Sequence, residues 1–139
     1  MRIGIDMMEV ERFAGAPNER LVRVFTPREM EYFTKKNSSV EGLILGQDLK
    51  HTTLETIAGI FCAKEAFFKA LGTGITPANI MELEVLHNQY GAPYYKISSK
   101  LINEHRFLST AKIHVSISHT RTTAVAVCVI DSSNRWAPV

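Results

Sequence analysis

Apolar and polar positions along this chain follow two different periods, and the switches between them predict the elements. The opening Arg2-Ile-Gly-Ile-Asp6 is a short apolar run that reads as a central strand ending at Asp6. From Pro17 the spacing becomes helical, with Leu21, Val24 and Phe25 recurring on one face, so a first helix is expected over 17–25. Thr26-Pro-Arg-Glu29 carries a helix start: a Thr cap, a Pro at the first helical position and a Glu three residues on, which together satisfy the free N–H groups of a first turn. A second helix then runs through Met30, Tyr32 and Phe33. Residues 36–50 mix Asn, Ser and Gly with weak periodicity and predict a loop with a helical turn near 40–45. Beyond it, Ile57, Ile60, Phe61, Phe68 and Leu71 form the stripe of a long third helix over 54–71, stopped by Gly72-Thr-Gly74 and by Pro77.

The rest of the chain reads mainly as strands. Residues 80–87 alternate loosely, Tyr90-Gly-Ala-Pro93 turns the chain and Tyr94-Tyr-Lys-Ile97 returns, which predicts a hairpin. A short helix over 98–107 would turn Leu101, Ile102 and Phe107 inward. Ile113-His-Val-Ser-Ile-Ser118 has period two, His119-Thr-Arg-Thr122 makes a turn, and 123–130 is apolar almost throughout. These last strands predict a second hairpin whose final member is buried, followed by a loose tail over 131–139 that contains Trp136.

Length and charge narrow the classes. At 139 residues the chain is expected to form one domain over 1–139, and a net charge of +2 gives no concentrated basic face for nucleic acid. The longest apolar stretch, Ala124-Val-Ala-Val-Cys-Val-Ile130, is far short of the roughly 20 residues that cross a bilayer, and no secretory signal pattern opens the chain. A cytoplasmic protein that contacts neither membrane nor nucleic acid is expected. Cys62 and Cys128 have no metal-ligand spacing and read as free, buried thiols.

Candidate chemistry lies in carboxylates beside lysines. Asp6 at a strand end and Glu65 in Ala63-Lys-Glu-Ala-Phe-Phe-Lys-Ala70, with Lys64 and Lys69 nearby, offer oxygen ligands and positive charge for a hard divalent ion and a phosphate. Each has an ordinary explanation too: Asp6 as a turn cap, and Glu65 with Lys69, four apart on one helix face, as a surface ion pair. Ser116 and Ser118 share a strand face while His119 falls at the turn, where its ring could reach a phosphate or act as a base. No nucleophile elbow accompanies these serines. Gly72-Thr-Gly74 could bring backbone N–H groups near a phosphate, although a helix C-cap already accounts for both glycines.

Taken in order, Gly4-Ile-Asp6 with Glu9 and Arg12-Phe13, Phe25-Thr-Pro-Arg-Glu29, Phe61-Cys-Ala-Lys-Glu-Ala66 running into Lys69-Ala-Leu-Gly-Thr-Gly-Ile75, Gly91-Ala-Pro93 and His114-Val-Ser-Ile-Ser-His-Thr120 form a recognisable set. The chain from Ile3 to about Ile130 resembles the holo-acyl-carrier-protein synthases, the small bacterial family of 4′-phosphopantetheinyl transferases. The resemblance implies an α+β fold of that family's kind, an antiparallel sheet packed with helices and assembled as a homotrimer whose active sites are shared between subunits. It implies transfer of the phosphopantetheine arm of coenzyme A to a serine of apo-acyl carrier protein in fatty-acid biosynthesis, with release of adenosine 3′,5′-bisphosphate. By resemblance Asp6 and Glu65 are the Mg²⁺ ligands and, with Lys69, the catalytic set; Lys64, Gly72, Ser118 and His119 are the coenzyme A contacts. Glu65 or a water on the metal is the candidate proton acceptor. Arg12, Arg20, Arg23 and Arg28 would offer the acidic carrier a basic landing surface. One position departs from the pattern: the family commonly has arginine immediately before Phe-x-x-Lys-Glu-Ala, where this chain has Ile60. That departure is the support for an alternative, a non-catalytic trimer that binds coenzyme A or the carrier.

Overall fold

The computed structural model describes residues 1–36 and 49–133, so the turn expected near 40–45 and the tail beyond residue 133, with Trp136, lie outside the described residues. A three-stranded antiparallel sheet is built from β1 (Arg2–Glu9), β4 (Lys112–His119) and β5 (Thr123–Asp131) in the order β1-β5-β4. A separate hairpin pairs β2 (Leu83–His87) with β3 (Pro93–Ile97). The helices are α1 (Asn18–Leu21), α2 (Pro27–Lys36), α3 (His51–Leu71) and α4 (Ser99–Glu104).

Helix α3 is the spine. It lies on one face of the sheet, where Gly4 and Met8 of β1 and Ala124, Ala126, Cys128 and Ile130 of β5 are buried against it. The approach is closest at Gly4: a Cβ there would sit 2.6 Å from the backbone nitrogen of Ala70, so a side chain at this position would push strand and helix apart. Small residues on both elements set the spacing that brings Asp6 to α3. The other sheet face carries Ile3, Ile5 and Met7, which are 60%, 60% and 69% exposed, beside half-buried Val125, Val127 and Val129 of β5.

Several expectations change. β1 does not stop at Asp6 but continues to Glu9, and within the described residues it is an edge strand paired only with β5. Its apolar content comes from its exposed face, which mimics a central strand in sequence. β5 is central, yet it alternates buried and half-buried positions instead of being buried throughout. The first helix is a four-residue turn, since Pro17 starts it and Val22 ends it. His119 is the last residue of β4, not part of the turn. The helix start at Thr26 is as expected: the Thr26 N–H donates to Glu29 Oε2 at 2.8 Å and the Glu29 N–H to Thr26 Oγ1 at 3.4 Å.

Candidate active site

Asp6 belongs to the face of β1 that meets α3, and the close contact at Gly4 carries its carboxylate to the helix. Lys69 Nζ donates to Asp6 Oδ1 at 2.8 Å and to the Ile5 carbonyl at 3.1 Å. The partner of Lys69 is therefore Asp6, reached across the fold, and not Glu65 four residues back on its own helix. Lys69 is pushed up from its ordinary value by the hydrogen bond to Asp6 and by the charges of Asp6 and Glu65. Glu65 is also pushed up, first by partial burial and then by the Asp6 charge, with Lys69 and Arg12 opposing. Lys69 thus serves two carboxylates that repel each other, and Arg12 adds a second cation toward Glu65. A hard divalent ion such as Mg²⁺ is held by one or two carboxylates with its other positions on water or phosphate, and this donor set fits it.

Cys62 completes the floor. Its thiol is pushed up to about 12 by burial, by the Asp6 charge and hydrogen bond, and by Glu65, so it stays neutral. Cys62, Glu65 and Lys69 recur at helical spacing, and that pattern could have revealed the thiol's place.

The other residues expected in the site lie elsewhere. Lys64 is fully buried, with Nζ 2.7 Å from the equally buried Glu29 Oε2 and 2.9 Å from the Val24 carbonyl, so it does not face a coenzyme. The expectation that it contacts coenzyme A is corrected: adjacent positions on a helix diverge by about 100°, and Lys64 points into the core while Glu65 points out. Gly72 caps α3 at φ +90°, and the N–H groups of Gly72, Thr73 and Gly74 all turn back on the Phe68 carbonyl at 2.9, 3.2 and 3.3 Å. These donors are therefore used within the chain, which corrects Gly72 as a phosphate contact. Ser118 pairs with Val125 on the outer sheet face, opposite to Asp6. His119, on the inner face, lines a small cavity of about 170 Å³ with Glu55, Gly59, Ile60, His87 and Tyr32. Glu55 and Glu65 are ten residues apart on α3, or about 15 Å along its axis, so within one chain His119 is remote from the paired carboxylates. Ile60 is 1% exposed, part of the core at this cavity's wall.

A second cavity, about 400 Å³, opens at Phe61, one helical turn before Glu65. Phe13, Phe61, Ile75 and Ile80 give it an apolar lining, and Arg12, Arg20 and Arg23 bring guanidinium groups to it. Arg12 sits over the Phe61 ring at 5.5 Å, one helical turn from Glu65. Arg28 is not part of this group; it pairs with Glu84 at 3.6 Å.

The sheet, the helix spine and the two carboxylates beside Lys69 make a candidate phosphotransfer site, and comparison with known proteins gives the family. The model of the 4′-phosphopantetheinyl transferase superfamily matches residues 2–130, and the chain belongs to that superfamily. It is 36% identical over 132 residues to the holo-[acyl-carrier-protein] synthase of Clostridium tetani, covering 93% of this chain and 94% of the relative. It is 35% identical over 133 residues to that of Oceanobacillus iheyensis, covering 94% and 95%. Among solved structures, the holo-(acyl-carrier-protein) synthase of Bacillus anthracis in complex with CoA (3′,5′-ADP) superposes with a TM-score of 0.71 at 30% identity, over 95% of this chain and 96% of that one.

Proposed function

We propose that the chain is a single-domain holo-acyl-carrier-protein synthase that transfers the 4′-phosphopantetheine group of coenzyme A to a serine of apo-acyl carrier protein. The observation that carries this reading is the Asp6–Lys69 pair at 2.8 Å beside the raised Glu65, in a chain 36% identical to a synthase of this activity. In the reaction the serine oxygen bonds to the phosphorus that bears pantetheine. The bond from that phosphorus to the bridging oxygen breaks, and adenosine 3′,5′-bisphosphate leaves with the electron pair. Asp6 and Glu65 would hold Mg²⁺, which when bound neutralises charge on the pyrophosphate. Lys69 supplies further positive charge where negative charge gathers, and its hydrogen bond to Asp6 keeps it there. Glu65, or a water beside it, would accept the serine proton.

Two further features support the finer parts of the reading. The arginines around the 400 Å³ cavity suit an acidic carrier that seats an apolar side chain there. The exposed apolar face of Ile3, Ile5 and Met7 suits burial in a homotrimer, in which a neighbour's His119 joins the Asp6–Glu65 half from which it is remote within one chain. Among the described residues no helix is long and apolar enough to cross a membrane, and we assign the protein to the cytoplasm with the carrier. The test is incubation with apo-acyl carrier protein, coenzyme A and Mg²⁺. The carrier should gain the mass of one phosphopantetheine and adenosine 3′,5′-bisphosphate should appear; binding of either substrate without these products would leave a binding protein instead.

A further inference from the structure

One carboxylate at the start of α3 touches two imidazoles. Glu55, with its side chain 16% exposed, has Oε1 3.5 Å from His51 Nε2 and Oε2 3.9 Å from His119 Nδ1. His51 Nδ1 is 3.4 Å from Glu11 Oε1, and its Nε2 is 2.6 Å from the Arg121 carbonyl. His51 thereby ties the turn after β1 and the β4–β5 connection to the first turn of α3. His119 Nδ1 has a second acceptor, the Thr120 carbonyl at 3.3 Å. The Thr120 carbonyl can only accept, so the proton on that side belongs on Nδ1, with the Glu55 carboxylate beyond it. Nε2 is then the nitrogen available to the 170 Å³ cavity that Glu55 and His119 both line. A ring that meets a phosphate through Nε2 has the Glu55 carboxylate behind it.

We infer that Glu55 is a positioning residue: it stands behind the His119 ring so that Nε2 meets a phosphate of the coenzyme A donor, with His51 beside its other carboxylate oxygen. This rests on the assignment of His119 to the donor site in the proposed function. Three groups are thus set in line, and His119 is the one whose free nitrogen meets the phosphate.

The test pairs NMR of the ring nitrogens with kinetics on the whole protein. In the free protein, Glu55→Ala should move the His119 proton from Nδ1 toward Nε2. The KM for coenzyme A should rise about fivefold, the effect of a partly exposed charge contact, with kcat and the KM for the carrier within twofold. Adding Glu55→Ala to His119→Ala should cost nothing further, since both act through one ring. An unchanged ring in Glu55→Ala, or additive losses in the double variant, overturns the proposal whatever His119 binds. If the ring responds to Glu55→Ala yet His119→Ala leaves the KM for coenzyme A unchanged, the donor-site assignment of His119 fails and the proposal falls with it.

Discussion

Lys64 and Glu65 are neighbours in sequence and opposites in use. Lys64 turns inward, where it meets Glu29 in a pair with both side chains 0% exposed, and Glu29 also accepts from the N–H groups of Thr26 and Val85 at 2.8 Å each. Burial opposes both charges, raising Glu29 and lowering Lys64, and each compensates the other in part. Every partner in that cluster is protein, so it fastens α2, α3 and β2 together and offers nothing to a ligand. Glu65 turns outward, is raised by burial and by Asp6, shares Lys69 with that second carboxylate and has only Arg12 besides to offset its charge. An ionic group whose charge is matched inside the protein is structural; one whose charge is left over is available for chemistry.

The largest effect should come from the unmatched side. Glu65→Ala removes a metal ligand and a candidate proton acceptor, so kcat/KM should fall by at least about a thousandfold while thermal stability holds or rises slightly. A Glu65→Ala protein with a few per cent of wild-type transfer would break the contrast. Lys64→Ala should do the reverse: it strands a buried carboxylate and should cost about 3–5 kcal/mol in denaturant unfolding. The folded fraction should then keep most of its turnover. Combining Lys64→Met with Glu29→Gln should cost less than the sum of the two single changes, because neither charge is then left alone in the core. Lys69→Ala lies between these cases. Half exposed and bonded to Asp6, Lys69 should matter little to stability, and its loss should lower kcat roughly tenfold to a hundredfold in the carrier mass-shift assay.

The contrast also explains what the sequence made legible. Periodicity together with cap, stop and turn residues gave α3 and its stop, the helix start at Thr26 and both hairpins, because in each the local signal and the tertiary outcome agree. It misjudged β1, since Ile3, Ile5 and Met7 are apolar for a face that stays exposed in the single chain. Asp6, Glu65 and Lys69 could be named as candidates, but no spacing rule gives the Asp6–Lys69 bond: its partners are 63 residues apart and meet because Gly4 admits α3. Lys64 was misjudged because motif membership says nothing about which way a helix position points. Its mate, Glu29, was read only as a capping residue, and no local pattern announces that the same carboxylate also neutralises a lysine 35 positions on. Glu55 and His51 gave no signal, as their meeting with His119 depends on how β4 ends against α3.

The smallest effect is the most specific test of the unmatched charge. Glu65 is raised above its ordinary 4.5 in the folded protein, so between 4.5 and the folded value the folded state holds more protons than the unfolded chain. Stability from this group therefore falls as pH rises through that window and stays reduced above it; below 4.5 the penalty is absent. Glu65→Gln cannot ionise, so with divalent ions chelated its melting temperature at pH 7 should exceed the wild type's by a few degrees at most, and the gap should close as pH falls below 4.5. Mg²⁺ should reverse the order at pH 7, raising the wild-type melting temperature by supplying the missing charge while leaving Glu65→Gln nearly unmoved. The buried pair should show no response to Mg²⁺, because both of its charges are enclosed by protein. A Glu65→Gln protein that melts below wild type at pH 7 without metal would mean that the Glu65 charge is compensated by the protein after all.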